Sequence, residues 1–174
     1  EAVKYISILL GGAVIGADAF LTGCKAKTGN AHEFNADDIA YLNEIGETIL
    51  PKTSTPGAKE ANVGQFMTVM VNDCYEESDQ KVFHDGMDKL NDAADKKFSN
   101  KFMKLSPQQR HDLLVQLDSE AKEYQKKVKD FNDKEDAKLL QENQKGKWKE
   151  VRQHMSQHYF TMMKQLTLLG YFTS

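Results

Sequence analysis

The sequence predicts an all-α protein: one bundle of about five helices, preceded by an N-terminal signal or anchor helix. Three observations carry this expectation. Apolar residues recur at three- and four-residue spacing through most of residues 35–174, Ser106-Pro107-Gln108-Gln109 reads as a helix start, and no alternating run is long enough for a strand. At 174 residues and 40% apolar content the chain can bury one real core, so a single domain with appendages is expected. Its 23 basic and 26 acidic residues leave a net charge of -3, with no excess positive field for a phosphate backbone, and no nucleic-acid partner is expected.

The first element is residues 1–23, where Asp18 is the only charged residue between Tyr5 and Thr22. As a membrane-spanning helix this run is poor. It carries Gly11, Gly12, Gly16 and an acid, and it falls short of the roughly 20 apolar residues a bilayer core asks for. As an export signal it reads better, an apolar run closed by small residues. Its modest hydropathy and its glycines are those of a twin-arginine signal, although Lys4 is the only basic residue ahead of the run, which leaves the export route open. Leu21-Thr22-Gly23-Cys24 resembles a bacterial lipobox. In such sequences the Cys is diacylated on sulfur and begins the mature protein, which makes Cys24 the lipidation candidate and residues 24–34 a polar tether. Two acyl chains, each contributing about 0.8 kcal/mol per buried methylene, give durable attachment. An uncleaved anchor, or a buried helix ending in a free Cys, is the alternative.

The helical domain is expected over 35–174. Asn35-Ala36-Asp37-Asp38 offers a cap and first-turn acids, and Ile39, Leu42, Ile45 and Ile49 follow until Pro51 ends the run. After a loop at 51–60, Phe66, Met67, Met70, Val71, Cys74 and Tyr75 draw a second stripe. Ser78 is placed to cap a third helix through Phe83, Met87, Leu90, Ala94 and Phe98. From Ser106 a fourth carries Leu113, Leu114, Leu117, Ala121, Tyr124, Val128 and Phe131. The last helix is expected from about Lys147, with Trp148, Val151, Met155, Tyr159, Met162, Leu166 and Leu169 on one face and Gly170 at its end. Between Asp118 and Glu150 nine Lys alternate with nine Asp or Glu, which solvates a protruding helix or helical hairpin at 118–150 and attracts no polyanion.

Catalytic signatures are missing. The glycines at 11, 12 and 16 make no dinucleotide fingerprint, because no strand precedes them and no βαβ unit follows. Two cysteines fifty residues apart hold neither a Cys-based zinc cluster nor a c-type haem, and no Ser sits in a nucleophile elbow. No catalytic residue, cofactor site or metal site is therefore assigned to this chain. The weak exception is His154 and His158, whose spacing would put two imidazoles on one helical face, yet no acid lies between them and the neighbours Met155, Tyr159 and Phe160 read as packing. His84 and His111 read as surface or cap residues. Cys74, an odd thiol if Cys24 is lipidated, is expected to be buried on its stripe; the alternative is an intersubunit disulfide.

Two segments carry a resemblance. The loop Ile49-Leu50-Pro51-Lys52-Thr53-Ser54-Thr55-Pro56-Gly57-Ala58 and the C-terminal Met163-Lys164-Gln165-Leu166-Thr167-Leu168-Leu169-Gly170-Tyr171-Phe172-Thr173-Ser174 are similar, in order and separation, to the two signatures of the gluconate 2-dehydrogenase subunit 3 family. The resemblance spans roughly 35–174 and is weakest over 118–150. It implies a non-catalytic small subunit of a periplasmic, membrane-associated dehydrogenase of sugars or sugar acids, which escorts and stabilises a larger flavoprotein of the glucose-methanol-choline type. FAD would sit on that partner and haem c on a third, cytochrome subunit. A lipobox Cys is not general in that family, so anchoring here is expected to differ. The rival reading is a stand-alone envelope lipoprotein with a helical binding or scaffolding role.

Within these segments two details stay open. Pro51 and Pro56 stiffen the loop, and Pro56-Gly57 suits a type II turn presenting Lys52, Thr53, Ser54 and Thr55 to a partner, against a plain connection between helices. At the C-terminus the chain's own core accounts for Leu166 and Leu169, while Leu168, Tyr171 and Phe172 fall off that stripe and point to burial against a second chain.

Overall fold

The computed structural model describes residues 33–146 and 155–173. The signal-like segment, most of the tether and Cys24 lie outside them, as do Trp148, Val151 and His154. The described residues form five α-helices and one 3-10 turn, and no strand occurs among them. The helices are α1 (Ala36–Ile49), α2 (Val63–Cys74), α3 (Glu77–Phe98), α4 (Pro107–Gln144) and α5 (Tyr159–Thr173).

Helix α1 starts where the sequence places it. Asn35 Oδ1 accepts the N–H groups of Asp37 and Asp38 at 2.8 and 3.1 Å, and Asp38 Oδ2 accepts that of Asn35 at 3.0 Å, a reciprocal capping box. Leu42 and Ile45 are fully buried, and Leu50 closes the helix with its N–H on Gly46 O. Phe34, in the stretch read as tether, stacks on His84 of α3 at 4.2 Å and meets Phe83 edge-on. Helix α2 follows a left-handed Asn62 and buries Val63, Met67 and Val71.

Helix α3 begins two residues earlier than its Ser suggests. Glu76 holds the cap position without a side-chain bond, its carbonyl takes the N–H groups of Asp79 and Gln80, and Ser78 lies inside the first turn. Glu77 and Asp79 at this end and Lys96 and Lys97 at the other complement the helix dipole. The 3-10 turn Phe102–Lys104 then drives Phe102 into the core, where Tyr41 meets it edge-on at 5.6 Å.

Helix α4 starts at the expected box, with Ser106 and Gln109 capping each other's backbone and Pro107 first in the helix. Its 38 residues span about 57 Å at 1.5 Å per residue. Leu113, Leu114, Leu117 and Ala121 join the core. Asp118 to Gln144 of the charged stretch continue this one helix without a break. Arg110 ties its start to α1: Nε and Nη2 donate to Phe102 O and Met103 O at 3.1 and 2.8 Å, and Nη1 pairs with Glu44. Such charge-assisted bonds at a largely buried guanidinium are the strong kind.

Helix α5 departs from expectation. It begins at Tyr159 and runs through Gly170 to Thr173, and residues 155–158 ahead of it are not helical. Met155 therefore lies off the helix. Its buried face is Tyr159, Met162, Met163, Leu166, Thr167 and Gly170, joined by Phe160, and Leu169 is rotated outward. A Cβ on Gly170 would stand 2.7 Å from the Phe66 ring, so the glycine lets α5 close on α2 instead of ending the helix. Helix α5 packs against each of the other four and is the centre of the bundle. No described helix is long and apolar enough to cross a membrane.

Candidate functional site

The two segments singled out in the sequence meet in space. Tyr171 Oη donates to Pro56 O at 2.8 Å across 115 residues, tying the last turn of α5 to the loop after α1.

The loop is shaped from within by Glu47. Its Oε1 accepts the Lys52 N–H at 2.8 Å and its Oε2 the Lys59 N–H at 3.0 Å, so one carboxylate holds both ends. Ala58 N donates back to Leu50 O at 3.0 Å, and Thr53 N to Thr55 O at 3.0 Å. Pro56-Gly57 forms no type II turn: Gly146 is the glycine with a positive φ among the described residues, and Gly57 is needed for room. A Cβ there would lie 2.3 Å from Glu47 Oε2 and 2.6 Å from Lys52 N. Gly57 and Ala58 are buried, whereas Pro51, Lys52, Thr53, Ser54, Thr55 and Pro56 are exposed. Lys52 pairs with Glu60, which keeps its ammonium above the ordinary range, and Lys59 reaches Glu44 at 3.0 Å.

Beside the loop, α5 shows solvent an apolar edge. Leu168 is 38% exposed, Leu169 46% and Phe172 74%, the last ring set edge-on to Tyr171 at 5.1 Å. Leu169, expected in the core, belongs to this edge. Tyr171, expected to await a partner, is half-buried and anchored to the loop. The combined surface offers apolar and aromatic side chains, threonine hydroxyls and two ion pairs, a composition for contact.

Glu47 was missed in the sequence, although a signal existed. It sits in the last turn of α1, where the negative end of the helix dipole disfavours a carboxylate. An acid so placed needs a compensating donor nearby, and the loop backbone supplies two.

The other candidates fall elsewhere. Cys74 is exposed, not buried, because it is the final residue of α2; its thiol is free and approaches Met70 Sδ at 3.9 Å. His158 precedes α5 and so does not share a helical face in the way the spacing predicted. Its Nδ1 accepts the Phe160 N–H at 3.2 Å, and burial pulls its pKa below the ordinary value. Among the described residues no cluster of three His, Cys, Asp or Glu is placed to hold a metal.

Comparison with known proteins gives one family. The profile described as Gluconate 2-dehydrogenase subunit 3 matches residues 36–174, which takes in all five helices and both signature segments. No curated protein and no solved structure matches the chain.

Proposed function

The chain belongs to the gluconate 2-dehydrogenase subunit 3 family, and on that premise we propose that it is the non-catalytic small subunit of a periplasmic, membrane-associated dehydrogenase of sugars or sugar acids. In this reading the oxidation takes place on FAD in a larger flavoprotein of the glucose-methanol-choline type, and a cytochrome subunit with haem c takes the electrons onward. The small subunit escorts and stabilises the flavoprotein, and lipid on Cys24 holds the pair at the membrane.

The observation that supports the reading best is the Tyr171–Pro56 bond, which joins the two family segments into one surface. Beside it Leu168, Leu169 and Phe172 leave apolar area in water. Full burial of such a side chain stabilises by about 1.5–3 kcal/mol, and the loop is already ordered by Glu47, so little conformational entropy is lost on docking.

The test is co-expression with the flavoprotein and capture of the small subunit from solubilised membranes. A stoichiometric flavin-bearing partner is expected, and its repeated absence overturns the reading. Phe172→Asp should lower the retained flavoprotein about tenfold or more, since 1.4 kcal/mol is a factor of ten, while thermal unfolding of the small subunit alone stays put. Intact mass should show a diacyl adduct that Cys24→Ser removes.

A further inference from the structure

Helix α5, the centre of the bundle, has no Ser, Thr, Asp or Asn at the position before its first residue. His158 stands there instead, and its Nδ1 takes the N–H of Phe160, one of the donors that a helix start leaves unpaired. An imidazole accepts only through a nitrogen that carries no proton, so the neutral ring must hold its proton on Nε2. The ring lies edge-on to Tyr124 of α4 at 5.5 Å and against Tyr159 at 4.3 Å.

Its charged surroundings are mixed. Glu120, Glu123 and Lys127 of α4 line a shallow groove beside the ring, and Lys89 of α3 is near enough to act on it electrostatically. Burial disfavours the imidazolium first, Glu120 favours it and Lys89 opposes it.

We propose that His158 is a pH-sensitive cap of α5: a proton taken up at Nδ1 breaks the bond to Phe160 and sets a cation at the positive end of the helix dipole. The first turn of α5 then loosens from α4. Because that turn carries Tyr159, Phe160, Met162 and Met163, all buried, the change reaches the core directly. The direction of the effect follows from the ring's lowered pKa. The cap contributes fully above the unfolded value near 6.5, and the contribution is lost as the pH falls through the lower folded value.

Hydrogen exchange on the full chain at pH 7.5 and 5.0, corrected for the intrinsic pH dependence of exchange, tests this. Protection of Phe160 to Met163 should drop about tenfold at pH 5.0 in the parent chain, a typical loss for a helix cap. In His158→Asn, which caps without titrating, protection should be the same at both values. His158→Ala should be poorly protected at both. Nitrogen NMR of the imidazole should place the proton on Nε2 at pH 7.5. The proposal is overturned if His158→Asn loses protection in acid as the parent does, if the parent keeps it, or if the neutral ring is protonated at Nδ1.

Discussion

The loop with the end of α5 and the outer part of α4 are both exposed, and they are built on opposite principles. The loop at 51–58 is held by long-range bonds from Glu47 and Tyr171, yet the α5 edge beside it shows apolar side chains to water. The outer part of α4 settles its charges within one turn: Glu123 with Lys126, Lys129 with Asp133, Glu135 with Lys138. Pairs of this kind, exposed on a helix surface, add little to stability and are screened by salt. A segment whose ion pairs close within one turn leaves few charges in need of a second surface, although Leu140 on it is 62% exposed. One that combines an ordered backbone with unburied Leu168, Leu169 and Phe172 leaves part of its free energy to an encounter with another surface. The difference is that the α5 edge groups three exposed apolar side chains beside an ordered loop, whereas the outer part of α4 exposes Leu140 among charges paired within their own turn.

The comparison breaks most severely at Gly57. Gly57→Ala pushes a methyl into the Glu47 carboxylate and the Lys52 amide and should cost about 2 kcal/mol in chemical denaturation. Adding Glu47→Ala removes part of the obstruction, so the double variant should lose less than the two single losses added together. Additive losses would show that the carboxylate does not shape the loop.

A smaller effect is expected at the joint itself. Tyr171→Phe removes the donor to Pro56 O and should cost about 0.5–1.5 kcal/mol, with faster amide exchange confined to residues 52–58. On the other region, Lys129→Gln should leave the denaturation midpoint almost unmoved, and any difference should vanish in molar salt. A large, salt-insensitive loss there would mean that the outer part of α4 is held by more than its own pairs.

Much of the fold was legible in the residues. The caps at Asn35 and Ser106 bond as their motifs predict, and Leu42, Ile45, Met67, Val71, Phe83, Leu90, Leu113 and Leu117 are buried on the faces their spacing assigns. The misses share a cause. Phe102 lies on no periodic stripe and is buried by a 3-10 turn. Cys74 has helical spacing but sits at a helix end, where nothing covers the thiol. Leu169 and Gly170 exchanged roles because α5 turned its smallest residue toward Phe66.

The candidate surface divides in the same way. Its two segments and most of its residues could be named from the sequence, and the lysines, threonines and prolines of the loop lie exposed as a loop should. What the sequence alone determined is whatever is encoded within about four residues along the chain: helix faces, caps, and the all-helical character itself. Tertiary structure alone decided that Glu47 fills the loop from the helix before it and that Tyr171 closes on Pro56. Those contacts, like the bond that spans 115 residues, depend on how the helices pack, and no local period carries that information.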